Sequence, residues 1–315
     1  MFDTPTVLES PTGARLLLRA KAAEAPSRGI VLVFHGLAEH SARYAAFAGE
    51  LAALGFHVLA HDHRGHGRTT ASDTGPRRFS VRNGVEKVLA DGEAVERHAR
   101  AAHPGLPVVV FGHSMGALVA ANFAARRSRD LAGVALWNGN LDRGVDVRLA
   151  RVLFRLERAY RGSDVASGLF PALTFRAWAR SVPGRRREAD WLTHDAEQAA
   201  RYEADPLCGW TPTVSLAEDL TRLTLAGASP PALARLTKAL PLHLLGGGAD
   251  PATKRGRAVE RLAARLRKAG ASDVTCLVVP GARHETLNEI EAYRRPAMAS
   301  LTAWLDRIVP PVSAG

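Results

Sequence analysis

At 315 residues and 46% hydrophobic, the chain can bury roughly three quarters of its unfolded surface, so neither disulfides nor a structural metal is needed to hold a core. Two cysteines, Cys208 and Cys276, exclude a disulfide framework and form no C-x-x-C pair, which points to free thiols in a reducing cytoplasm. The 42 basic residues outnumber the 31 acidic ones, giving +11; the excess is mostly Arg spread along the whole chain, which coding bias alone can produce, so nucleic acid is not expected as a partner and attraction to an anionic membrane surface is the alternative reading.

At the N-terminus, Asp3, Pro5 and Glu9 do not form the basic-then-apolar pattern of a secretory signal. No run approaches about 18 consecutive apolar residues, the length of a membrane-spanning helix. Strands are then predicted at Ile30 to Phe34, Phe56 to Ala60, Val108 to Phe111 and Gly133 to Trp137. They alternate with helices at Ser41 to Leu54, Val81 to Ala102 and Met115 to Arg127. Continuously apolar, β-branched strands are what a parallel sheet covered on both faces requires. Between about 140 and 240 the alternation stops: this Pro-containing stretch has helical patches and no comparable strand, and is expected to be a mainly helical cap. The pattern resumes with a strand at Leu242 to Leu245, a helix at Arg255 to Ala269 and a strand at Val274 to Val279. The expected organisation is therefore a core of 1–139 and 241–315 with a cap inserted at 140–240, over the sheet edge where open α/β sheets place ligands.

The sharpest motif is Gly112-His113-Ser114-Met115-Gly116, a G-x-S-x-G between a predicted strand and a predicted helix. In that context it reads as a nucleophile elbow, whose glycines leave room for a strained turn that exposes the serine at a helix N-terminus. A serine hydroxyl needs a base, and the base needs a third group to fix its tautomer. Two later strands end in small-residue turns that each carry one titratable side chain: Gly246-Gly247-Gly248-Ala249-Asp250 and Pro280-Gly281-Ala282-Arg283-His284. Ser114 is thus the expected nucleophile, His284 the general base and Asp250 its orienting acid. Backbone N–H groups of Met115 and of Leu37, which follows His35-Gly36 at the end of the first predicted strand, are the expected oxyanion donors. His35, Gly36, Gly112, His113 and Gly116 shape the supporting turns.

Three runs together resemble the monoacylglycerol lipase and lysophospholipase branch of the α/β-hydrolases, which includes serine aminopeptidase S33-like members: His35-Gly36-Leu37-Ala38-Glu39-His40-Ser41-Ala42-Arg43-Tyr44, His61-Asp62-His63-Arg64-Gly65-His66-Gly67, and the elbow. The resemblance implies an α/β-hydrolase fold with a mostly parallel sheet and an inserted helical cap. It also implies the Ser114, Asp250, His284 triad, no cofactor, no metal, and as substrate a lipid ester with one acyl chain.

Other features support different expectations. His61, His63 and His66 approximate the metal-ligand run of metallo-β-lactamase-type hydrolases, but that run carries Asp before its last histidine and Gly65 stands there instead. An aminopeptidase would need an acidic cap residue for the substrate amine, with Glu157 and Asp195 as candidates; a non-catalytic binding protein would be expected to have lost the triad. In the cap, Arg148, Arg151, Arg155, Arg158 and Arg161 recur at helical spacing, with Leu149, Val152, Leu153, Leu156 and Tyr160 on the opposite side. Such a helix either packs its apolar face on the body or lies on an anionic bilayer at the inner membrane surface. Leu169, Phe170, Leu173, Phe175 and Trp178 supply bulk for an acyl channel or for cap packing.

Overall fold

The computed structural model of the chain describes Phe2 and residues 4–311; residues 1 and 3 and 312–315 of the expected core segments, Asp3 among them, lie outside the described residues. The chain opens with two strands absent from the sequence expectation, β1 (Thr6–Glu9) and β2 (Ala14–Lys21), paired antiparallel. β2 buries Ala14, Leu16 and Leu18 and turns the residues between them outward, the period-2 alternation of a strand covered on one side. Then follow β3 (Gly29–Phe34), α1 (Ala45–Ala53), β4 (Phe56–His61), the two-residue β5 (Thr70–Ala71), α2 (Gly84–Ala102), β6 (Val108–His113), α3 (Met115–Arg127) and β7 (Gly133–Trp137). After β7 come six helices, α4 (Val145–Arg161), α5 (Leu169–Leu173), α6 (Phe175–Arg180), α7 (Ala196–Ala204), α8 (Val214–Gly227) and α9 (Pro230–Arg235). The chain closes with β8 (Leu242–Gly247), α10 (Arg257–Lys268), β9 (Val274–Val279) and α11 (Glu291–Ile308).

Eight strands run in the order β1-β2-β4-β3-β6-β7-β8-β9, and β5 adds to β2. Every neighbouring pair from β4 to β9 is parallel. In β3, β6, β7 and β8 every residue is buried, because helices cover both faces. On one face the cluster around Val31, Phe111 and Trp137 is closed by Phe47 and Leu51 of α1 and Leu301 and Trp304 of α11. On the other, Leu32, Val110 and Leu244 meet Val88 of α2, Phe123 of α3 and Leu262 of α10. The chain passes from β3 outward to β4 and returns to β6 on the other side of β3, so β3 and β6 flank the switch point where such sheets open a crevice.

Helix starts depart from expectation where the backbone turns left-handed. The helix expected from Val81 begins at Gly84, because Asn83 has φ 55°; that expected from Arg255 begins at Arg257, after Lys254 and Arg255 at φ 57° and 59°. The stretch from Ser41 starts as a 3-10 turn, Ser41–Tyr44, before α1.

Of the two orientations expected for helix α4, packing of its apolar face on the body is not what most of that face does. Leu149, Val152, Leu156 and Tyr160 are 51–91% exposed and form one stripe with Val145, while Leu153 is half-buried. The inward side is instead built on Phe154 and Glu157, both buried.

Candidate active site

Ser114 sits between β6 and α3 with φ 54° and ψ −117°, a strained conformation for a residue with a side chain. The turn tolerates no side chain at its glycines: a Cβ on Gly112 would stand 2.3 Å from the Gly116 carbonyl oxygen, and one on Gly116 would stand 1.9 Å from that of Phe34. The half-buried Ser114 hydroxyl is thereby fixed at the C-terminal edge of the sheet.

Two further loops, at the ends of β8 and β9, converge on it. His284 Nε2 lies 2.9 Å from Ser114 Oγ, and His284 Nδ1 lies 3.0 Å from each Asp250 carboxylate oxygen. Asp250 is fully buried and also accepts hydrogen bonds from Asn138 Nδ2 at 3.1 Å, Thr253 Oγ1 at 2.8 Å and Ala252 N at 2.9 Å. Burial alone would raise its carboxyl, but the charge of His284 and the bonds from His284, Asn138 and Thr253 outweigh it and hold the group below the usual carboxylate range. Asn138 was not anticipated. It follows β7 with φ 51°, and Thr286 Oγ1 donates to its Oδ1 at 3.0 Å, so its amide faces Asp250. Its position directly after a strand, in Trp137-Asn138-Gly139, is the same kind of signal that marked Asp250.

Among the described residues, the N–H groups of Leu37 and Met115 have no protein acceptor, and both residues border the same cavity as Ser114. His35 steadies the loop that bears Leu37: its Nδ1 donates to Gly36 O at 2.7 Å while its Nε2 accepts from His63 N at 2.9 Å. Gly36 leaves space for Glu39, whose Oε1 would stand 2.5 Å from a Cβ there.

The cavity measures about 430 Å³, within the range of small-molecule sites. Its walls are mostly apolar and come largely from the helical segment. Of the expected acyl-channel residues, Phe170, Leu173, Phe175 and Trp178 line it; Leu169 instead packs at the core, and Leu149, Leu153 and Phe154 of α4 add to the wall. The Trp191 ring lies 4.9 Å from that of His284.

His61, His63 and His66 are fully buried or nearly so, and their rings pack with those of His35 and Phe34. Burial lowers all three, His61 to about 4 and His66 to about 3. Among the described residues, the one grouping whose ligand atoms approach as a metal would need is His40, Asp205 and Cys208; these three histidines do not form such a set. Arg64, fully buried within the same loop, bonds Asp91 at 2.7 Å and Phe79 O at 3.0 Å and so anchors it. Both cysteines are free.

The model of the family described as "Serine aminopeptidase, S33" matches residues 25–291. The chain belongs to that family. A monoacylglycerol lipase of Mycolicibacterium smegmatis is 30% identical over 303 residues, 93% of each chain. Two solved structures share the fold: a thermostable carboxyl esterase from Bacillus coagulans, with TM-score 0.85, 22% identity and 97% and 98% of the two chains covered, and a monoglyceride lipase from Saccharomyces cerevisiae, with TM-score 0.77, 17% identity and 99% and 96% covered. This S33 member is thus an α/β-hydrolase, with a mostly parallel sheet flanked by helices, and none of its described helices is long and apolar enough to cross a membrane.

Proposed function

We propose that this S33-family chain is a serine hydrolase that cleaves carboxylic esters of single-chain lipids, a monoacylglycerol or a lysophospholipid, through an acyl-enzyme. The broader reading, an ester hydrolase of the α/β-hydrolase fold, is supported by the family and by the M. smegmatis relative. The finer reading is carried by one observation: the Ser114–His284–Asp250 chain of hydrogen bonds opens into a large cavity walled by apolar side chains. In this mechanism His284 takes the proton of Ser114 as its Oγ attacks the ester carbonyl, and the Leu37 and Met115 N–H groups hold the oxyanion. His284 then protonates the leaving alcohol and activates the water that releases the acid, while ionised Asp250 stabilises the imidazolium.

The aminopeptidase reading is less favoured, because the two acids expected for it are engaged elsewhere. Glu157 is spent on Ser167, Gly168 and Arg161, and Asp195 caps α7, so neither lines the cavity. The carboxylates that do border it are paired, Glu39 and Glu285 with Arg43, and Asp146 with Lys254. An intact set of triad contacts also favours an enzyme over a binding protein. In this reading residues 140–240 form the cap, and the exposed stripe of α4, with Arg148, Arg151, Arg155 and Arg158 beside it, rests on an anionic lipid surface and passes substrate along Leu149 and Leu153 into the cavity.

The test compares the protein and Ser114→Ala on a monoacylglycerol, a lysophosphatidylcholine and an aminoacyl anilide. Lipid hydrolysis that falls on the order of 10⁶-fold in the variant is expected; more than a few per cent residual activity, or activity on the anilide alone, would overturn the reading.

A further inference from the structure

Four ionisable side chains lie beneath the site without entering the chemistry above. The Glu39 carboxylate accepts from Gly36 N at 2.5 Å, Tyr44 Oη at 2.9 Å and Arg43 Nη1 at 2.5 Å. Arg43 also forks onto both oxygens of Glu285, at 2.5 and 2.6 Å. His113 Nε2 donates to the carbonyl of His284 at 3.0 Å, while its Nδ1 faces Glu39 Oε1 at 3.6 Å. The Glu39 contact is electrostatic, longer than a hydrogen bond. Burial disfavours a charge on His113, but Glu39 and Glu285 outweigh it and raise the group. Two carboxylates, one guanidinium and one histidine thus share a buried unit in which no side chain is more than 11% exposed.

What matters is where each member is attached. Glu39 grips the Gly36 N–H, one residue before Leu37. His113 precedes Ser114. Glu285 follows His284. The three catalytic loops, far apart in sequence, are thus tied to one another through a single ionic unit rather than only through their own strands.

We propose that Glu39, Arg43, His113 and Glu285 are positioning residues: one buried, ion-paired and hydrogen-bonded bridge that sets the Leu37 N–H and the His284 ring at their working separations from Ser114. The proposal rests on the serine-esterase reading above. Bidentate and charge-assisted bonds are short and directional, so a bridge built from them holds three loops with less play than apolar packing would. Because the oxyanion donor and the base act on the transition state, loosening the bridge lowers kcat and leaves ground-state binding of the acyl chain alone.

The experiment uses the full chain and its Glu39→Gln, Glu285→Gln and double variants, with p-nitrophenyl butyrate as substrate and thermal melts to verify folding. Each single variant is expected to lose about 10- to 100-fold in kcat, below the loss of an entire oxyanion donor, with KM within about twofold. Affinity for a trifluoromethyl ketone, which forms a tetrahedral adduct on Ser114, is expected to fall by the same factor as kcat, while that for decanoate, which forms none, stays unchanged. As members of one unit, the two changes combine to less than the product of the single effects. Arg43→Lys, which keeps the charge and loses the fork, is expected to lose kcat to a similar extent. Wild-type kcat in folded Glu39→Gln and Glu285→Gln, parallel loss of decanoate affinity, or full multiplicativity overturns the bridge; activity surviving in Ser114→Ala sinks the underlying esterase reading instead. Should Glu39→Gln fail to fold, Glu285→Gln alone decides between these outcomes.

Discussion

Replacing Asp250 by Asn removes one charge and no volume, and its consequence follows from the bonds around it. Oδ2 accepts from Asn138 and Thr253, Oδ1 accepts from Ala252 N, and both oxygens face His284 Nδ1. Whichever way the new carboxamide turns, its NH2 meets at least one N–H or O–H donor. Leaving a buried donor unsatisfied costs about 1–3 kcal/mol of stability. The larger effect is on catalysis. To bond the NH2, His284 must offer a bare Nδ1 and carry its proton on Nε2, 2.9 Å from Ser114 Oγ, where it can no longer accept the serine proton. The same tautomer reversal in serine proteases lowers kcat about 10⁴-fold, or about 5.5 kcal/mol of barrier. Steady-state hydrolysis of p-nitrophenyl butyrate at pH 7 and a thermal melt read the two effects separately. A folded Asp250→Asn enzyme whose kcat lies within about tenfold of the parent would refute the assignment of Asp250 as the orienting acid.

Three further outcomes are expected. Gly116→Ala forces a Cβ to 1.9 Å from Phe34 O, and overpacking of this kind costs 1–3 kcal/mol or more; a lowered melting temperature with lost esterase activity checks it, and a fully active variant would show that the elbow relaxes. Val152→Ser, Leu156→Ser and Tyr160→Ser combined remove apolar stripe worth about 1 kcal/mol each on burial in lipid, so binding to phosphatidylglycerol vesicles, measured by co-sedimentation, should weaken on the order of 10²-fold while soluble-ester turnover is kept. Acid stability follows from the buried histidines: His61 and His243 are lowered to about 4 and His66 to about 3. Because the unfolded chain takes up protons near pH 6.5 and the folded one does not, stability is full above pH 6.5. It declines by about 1.4 kcal/mol per pH unit per group as pH falls, until the folded groups titrate; denaturant melts at pH 7 and pH 5 measure the slope, and equal midpoints would contradict the burial.

The parallel core was legible, and the proposed triad could be placed, because each rests on local signals: continuous apolar runs such as Val108 to Phe111, glycines where a turn admits no Cβ, and single titratable residues after a strand. The N-terminal β1–β2 pair escaped because Leu16-Leu17-Leu18 hides the alternation that buries only the first and third of these. Asn138 escaped because its role depends on Asp250, a residue 112 positions away in the chain. The face of α4 could be found by periodicity but its direction could not, since Phe154 and Leu156 are equally apolar in sequence and only the neighbouring helices decide which of them turns inward. The Arg43 fork onto Glu285 spans 242 positions, and no local pattern announces such a pair.

The separation of nucleophile and base has a consequence for how activity comes into being. Ser114 precedes His284 by 170 residues, and the loop that carries the base follows the last strand of the sheet. On the proposed triad, a chain in which only β3, β6 and β7 had folded would display the serine turn and hold no group able to activate it. With the triad proposed above, hydrolysis would begin only once β9 has docked on β8. The exposed Arg185 to Arg187 stretch lies between the two halves of this assembly. A chain cut there yields one fragment with the serine and another with the acid and base, and ester turnover would report their reunion.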